Sequence, residues 1–183
     1  MQGQALGSSI AAGFGLIYVI VNTDSMPPAV QWTLRTLAAA AAAAAVLLAV
    51  VRHRAKLRSE PSQSEGSVFG RRYWWVVIVE VIALFVGVRL LAGPFDMPQA
   101  GVAWVSMVVG LNFFPLATIF AQRFFHILGV AISLCGSAGL ALALADAAPV
   151  AIDLVSGVIP GGILLAFGWW GAGRRTPHHA IGR

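Results

Sequence analysis

The sequence is poor in charged residues and in cysteine. Only 10% of its 183 residues are charged, while 58% are hydrophobic; an ordinary soluble domain has roughly 25% charged residues. A soluble chain this apolar could not cover its surface with polar groups, so the composition excludes a typical soluble protein. Cys135 is the sole cysteine. An intrachain disulfide and a cysteine-based metal cluster are therefore excluded.

The sequence also lacks the short motifs of common enzymes. It has no Gly-x-Ser-x-Gly elbow, His-Glu-x-x-His pair, P-loop or Gly-x-Gly-x-x-Gly turn. The four histidines lie in a basic segment, at the end of an apolar run or in the tail: His53, His126, His178 and His179. This pattern predicts no catalytic residue, no bound metal and no cofactor.

What the sequence does contain is six apolar runs. Each is about as long as the ~20 residues that a helix needs to cross a bilayer. We therefore predict an all-α, polytopic membrane bundle of six transmembrane helices, forming a single domain over residues 1–183. The first run is short and rich in Gly, so a five-helix chain with a re-entrant first segment is the alternative. The predicted spans are 5–22, 29–51, 73–93, 99–121, 125–145 and 150–172.

The charged residues alternate between the connections. Basic residues fall in a long loop at 52–72, at Arg123 and in the tail at 173–183, whereas the other connections carry Asp24, Asp96 and Asp146. Because Lys and Arg favour the cytoplasmic side, both termini, the loop and the tail are predicted to be cytoplasmic. The basic residues flank apolar runs, so the net charge of +5 does not indicate a nucleic-acid partner. Each of the three Asp residues shortly precedes a helix, which predicts helix capping.

Two ionisable residues interrupt the third run. Glu80 and Arg89 lie within Tyr73–Gly93, and a charged group inside a spanning helix costs a few kcal/mol at least. Each is a candidate functional residue for that reason. The alternatives are a protonated Glu80 that only hydrogen-bonds a neighbouring helix, and an Arg89 that only reaches the lipid headgroups.

Further polar residues are predicted at membrane depth in three other runs. Arg35 and Asp153 are expected in the same outer layer as Arg89, where an arginine needs a carboxylate or water. Asn112 lies near the middle of the fourth run. These residues complete the set of charged and amide candidates for a ligand or ion site.

Prolines in the fourth and sixth runs predict interrupted helices. Pro115 follows Asn112 by three residues, and Asp153, Ser156 and Pro160 are spaced on one helical face that ends at Gly161. Breaks of this kind are tolerated where protein or water satisfies the freed backbone. Transporter sites commonly use them near the bilayer midplane.

The segment Gly110–Ala117, GLNFFPLA, follows a run that contains Glu80. Together they resemble a group of small six-helix bacterial inner-membrane proteins of unassigned function, over spans three to five. The resemblance implies a bacterial cell membrane and no particular activity. In that group the position of Asn112 is often histidine, so no metal or proton role transfers to this residue.

These features predict a transporter or channel subunit for a small solute or an ion. Glu80, Asn112, Asp153 and Ser156 would form its interior site, and Arg35 and Arg89 an outer vestibule. The alternative is a non-transporting accessory subunit that binds a partner protein or lipid. Besides the lipid bilayer, the expected partner is a second copy of the chain or another membrane protein. An intramembrane enzyme is the third possibility.

Overall fold

The computed structural model describes residues 2–57, 71–119 and 124–173, and these residues are helical apart from short turns. The all-α expectation is confirmed. The helices are α1 (Gln2–Val21), α2 (Pro28–Leu57), α3 (Arg71–Ala92), α4 (Gly101–Ile119, after a 3₁₀ turn at Pro98–Ala100), α5 (Phe124–Leu144), α6 (Pro149–Asp153) and α7 (Ile159–Gly173). A π-helical turn, Leu154–Val158, joins α6 to α7.

Five of the helical segments are long and apolar enough to cross a membrane, which indicates a multi-pass membrane protein. The apolar part of α1 is shorter, Ser9–Val21. The predicted basic loop begins inside α2, but residues 58–70 lie outside the described part of the chain. The same holds for residues 120–123 and for the tail after 173. The five segments are Pro28–Val51, Tyr73–Ala92, Pro98–Ile119, Phe124–Leu144 and Pro149–Trp170.

The helices differ in how completely they are covered. α1 packs against α7 and α2, and α4 packs against α5, whereas α3 packs mainly against α4 and its 3₁₀ turn. In the α3 span 6% of the residues are buried, against 39% in the last span. α3 therefore lies at the edge of the bundle, and the packed centre is formed by α1, α4, α5 and α7.

Glycines permit the closest helix crossings. A Cβ at Gly136 of α5 would overlap the backbone of Met107 in α4, and a Cβ at Gly15 of α1 would lie 2.8 Å from the carbonyl oxygen of Gly161 in α7. Such small residues allow backbones to approach in lipid, where van der Waals packing supplies much of the association energy. Gly161, predicted as part of a helix break, thus lies at a helix crossing.

The capping expectation is wrong for Asp96 and Asp146. Asp96 and Asp146 have left-handed backbones, with φ of 50° and 54°, and the following helices begin without a side-chain cap. Around Asp146, its N–H donates to Ala143 O and the N–H of Ala147 donates to Leu142 O. This is the Schellman pattern that ends a helix. Asp is among the few non-glycine residues that tolerate this conformation, so it ends the preceding helix instead of capping the next.

Candidate functional site

Two of the predicted site residues contact each other at the middle of the α3–α4 interface. Asn112 Nδ2 donates a hydrogen bond of 2.5 Å to Glu80 Oε2, and both side chains belong to half-buried residues. Glu80 lies near the middle of α3, and Asn112 lies near the middle of α4. These two predicted site residues therefore lie well inside their helices, far from the helix ends.

The register of this pair is fixed by a second contact between the same helices. Trp104 Nε1 of α4 donates a 3.0 Å hydrogen bond to Ala83 O of α3. The indole lies directly over Gly87, where a Cβ would overlap the ring. α4 also remains helical through Pro115, so Asn112 is held on a continuous helix.

The predicted outer arginines do not share a site. Arg35 Nη2 contacts Asp24 Oδ1 at 2.6 Å and donates to Ile20 O at 2.7 Å, while its Nε donates to Thr23 Oγ1 at 3.0 Å. Arg35 thus fastens the α1–α2 turn to its own helix. Its carboxylate partner is Asp24.

The other two charged candidates lack such contacts. Arg89 is exposed and Asp153 is half-buried. Neither side chain makes a hydrogen bond or ion pair with another residue in the described part of the chain. The two residues therefore show no direct link to Arg35 or to the Glu80–Asn112 pair.

Ser156 lies in the π-helical turn, and Pro160 determines how its backbone carbonyl is hydrogen-bonded. Proline has no N–H, so the Ser156 carbonyl cannot receive the usual helical bond from position 160. Ser106 of α4 supplies a donor, because its hydroxyl hydrogen-bonds Ser156 O. Both serines are fully buried. Pro160 therefore produces a local π-helical irregularity whose freed carbonyl is satisfied by a neighbouring helix.

Three buried hydroxyl groups near the bundle centre have no hydrogen-bond partner among the described residues: Tyr18 Oη, Ser133 Oγ and Ser156 Oγ. Ser156 Oγ points at Gly139 of α5, where a Cβ would collide with it. Tyr18 has Ser106 as a polar neighbour. These hydroxyl groups lie in a packed core, and an uncharged hydroxyl group binds a cation more weakly than a carboxylate does.

The predicted residues therefore fall into separate places. Ser106 and Ser156 are level with each other, and α4 and α6 run in the same direction from turns at one end of the bundle. Counting along the helices, Asn112 and Asp153 differ in depth by about 13 Å at 1.5 Å per residue. Two grooves on the described surface lie against α2, and neither is lined by these two residues or by Glu80. No three His, Cys, Asp or Glu residues of the described part converge as metal ligands.

Sequence reasoning missed the partners Asp24 and Ser106. The signal for Asp24 was its position in the turn before α2, close enough in sequence for its carboxylate to contact Arg35 near the start of that helix. The signal for Ser106 was indirect: a proline in one span frees a carbonyl, and a serine at a similar depth in another span can satisfy it. The facing of the two spans is set by packing, which the sequence does not display.

Comparison of the chain with protein-family models, with curated proteins and with solved structures finds no match. The resemblance of Gly110–Ala117 to small inner-membrane proteins stays a prediction.

Proposed function

We propose that this chain is a subunit of a transporter or channel for a small solute or ion, and that the Glu80–Asn112 pair is its proton- or cation-binding group. The observation that supports this is the 2.5 Å contact between a carboxyl and a carboxamide midway along two helices. Ionisable groups at such a depth are costly to keep, and they commonly belong to ion and proton pathways.

The pair has the chemistry for reversible proton binding. Ionised Glu80 accepts a hydrogen bond from the Asn112 amide N–H. Protonated Glu80 has one O–H donor, which the amide oxygen of a rotated Asn112 can accept. The carboxyl group thus keeps a partner in either state, so proton gain or loss need not disrupt the α3–α4 contact.

The edge position of α3 leaves room for an assembly partner. α3 is packed on one side by α4, and most of its apolar residues are exposed. A pathway past Glu80 would therefore be closed by a second copy or by another membrane protein. The same proposal includes a bacterial cell membrane, which the resemblance of Gly110–Ala117 implies. It also includes cytoplasmic termini, which the distribution of Lys and Arg supports.

A non-transporting accessory subunit is the second candidate. It is favoured by the separation of the polar groups, since Arg35 and Ser106 each satisfy a local structural need. In that case the Glu80–Asn112 contact would serve to fix the α3–α4 register alone.

Proteoliposome flux measurements distinguish the two candidates. Purified protein is reconstituted into vesicles, and the decay of imposed H⁺, Na⁺, K⁺ and Cl⁻ gradients is compared with that in protein-free vesicles. We expect the wild type to dissipate at least one gradient and Glu80→Gln to abolish this flux. Gln keeps an oxygen that accepts from Asn112, so folding should be retained.

Asp153→Asn is the matched control. It neutralises a carboxylate in the same chain but at a different depth, and it should leave the flux unchanged. A wild type that dissipates none of the four gradients would overturn conduction of these ions and favour the accessory role. Equal flux in wild type and Glu80→Gln would remove Glu80 from the mechanism.

A further inference from the structure

A surface groove runs along one stripe of α2. Two adjoining hollows of about 540 and 370 Å³ share Ala39. Their α2 walls recur at intervals of three or four residues, so they lie on a single helical face. α1 supplies the opposite wall with Gly13, Leu16 and Ile20. The α2 face includes Trp32, Arg35, Ala39, Ala43, Leu47 and Val50.

The middle of the groove is lined by small residues, which leave room for a hydrocarbon chain along the helix surface. Ala39 and Ala43 project only methyl groups, and Gly13 opposite them has no side chain. From Arg35 to Val50 the stripe extends about 22 Å at 1.5 Å per residue. One leaflet of a bilayer contributes about 15 Å of hydrocarbon. The groove therefore accommodates the length of one acyl chain below Arg35.

The Arg35 end of the groove carries two opposite charges side by side. Arg35 is bonded to its neighbours through Nε and Nη2, and its Nη1 has no hydrogen bond to the described part of the chain. The Asp24 side chain is 74% exposed. Trp32 lies beside them, 5.9 Å from the Arg35 guanidinium carbon to the ring centroid. Tryptophan is enriched where a membrane meets water.

We propose that this groove binds a glycerophospholipid whose headgroup carries a phosphate and a primary ammonium, as in phosphatidylethanolamine. The phosphate would accept from the Arg35 Nη1 hydrogens, and the ammonium would donate to Asp24. One acyl chain would lie over Ala39 and Ala43. The charge pair and the length of the groove both complement such a lipid, whether or not the chain transports a solute.

The paired charges predict the headgroup preference. An anionic lipid such as phosphatidylglycerol offers a phosphate to Arg35 but no cation to Asp24. A quaternary ammonium, as in phosphatidylcholine, has no N–H to donate to the carboxylate. The ethanolamine lipid is therefore expected to bind most tightly of the three.

Native mass spectrometry of the full chain, titrated with each lipid in detergent, tests the proposal. Ala43→Leu fills the groove, and we expect it to weaken ethanolamine-lipid binding about tenfold, equivalent to about 1.4 kcal/mol. Ala40→Leu is the matched control: Ala40 is exposed on the same helix and lines neither hollow. It should leave binding unchanged.

Asp24→Asn tests the headgroup contact and should abolish the preference for the ethanolamine lipid over phosphatidylglycerol. The proposal is overturned if wild type binds the three lipids equally, or if Ala43→Leu and Ala40→Leu bind alike. It is also overturned if the chain is a lipid-free dimer that Ala43→Leu converts to a monomer, because the groove would then hold a second copy.

Discussion

The two faces of α4 are built in different ways. Against α5, Gly136 allows the backbones to meet, and the neighbouring core includes the fully buried Ile132. Against α3, the contact relies on two side-chain hydrogen bonds, from Asn112 and Trp104. In lipid, close packing stabilises helix pairs, while a single interhelical hydrogen bond contributes about 0.6 kcal/mol on average. The α5 face therefore supplies stability, and the α3 face carries the contact that we propose binds a proton or cation.

The largest expected effect is the loss of stability when a packed side chain of α5 is truncated. Ile132→Ala leaves a cavity in the α5 core and should lower the free energy of unfolding by about 2–4 kcal/mol. Ile82→Ala, on the exposed face of α3, should change it by less than about 0.5 kcal/mol. Unfolding in mixed micelles titrated with a denaturing detergent measures both. Similar losses for the two variants would contradict an edge position for α3.

Substituting the glycine at the α4–α5 crossing should lower stability nearly as much. Gly136→Ala places a methyl group against the Met107 backbone and should cost about 1–3 kcal/mol by overpacking. Gly162→Ala is the control, because a Cβ there meets nothing within 4 Å. It should be neutral or stabilising by up to about 1 kcal/mol, since Ala is the better helix former. Thermal unfolding in detergent compares them. An unaffected Gly136→Ala would show that α4 and α5 are not in close contact.

The smallest expected effect comes from the π-helical turn. Ser106→Ala removes the donor to Ser156 O and should cost about 1 kcal/mol. In a Pro160→Ala background the restored N–H can bond the same carbonyl, so the cost of Ser106→Ala should nearly vanish. A double-mutant cycle on unfolding free energies measures this coupling. Additive effects would show that the serine and the proline act independently.

Helices were the predictable part of this molecule, because apolar runs and polar turns are local in sequence. The all-α class follows from them, although the use of Asp96 and Asp146 was misread. Aspartate suits both a helix cap and a left-handed stop, and the residue type alone does not choose between them. The sign of the backbone φ decides, and it depends on the chain after the turn.

The residues of the candidate site could be predicted from the sequence, but the contacts between them could not. Glu80 and Asn112 were each singled out, yet their contact depends on which spans are neighbours. The prediction also put Asp153 in the interior site with them, whereas Asp153 lies about 13 Å from Asn112 in depth. It put Arg35 in an outer vestibule with Arg89, which Arg35 does not contact. Arg35 meets Asp24 across a turn of its own hairpin, a partner available without any distant packing. Depth can be counted along a sequence, but the facing of helices cannot.

The central claim is that the Glu80 carboxyl group gains and loses a proton reversibly. Infrared difference spectroscopy of the protein in lipid, recorded on stepping the pH down, tests it most directly. We predict a protonated-carboxyl C=O band that grows on acidification, disappears in Glu80→Gln, changes frequency in Asn112→Ala and persists in Asp153→Asn. A spectrum without a Glu80-dependent band, or one in which the band is lost only in Asp153→Asn, would contradict the claim.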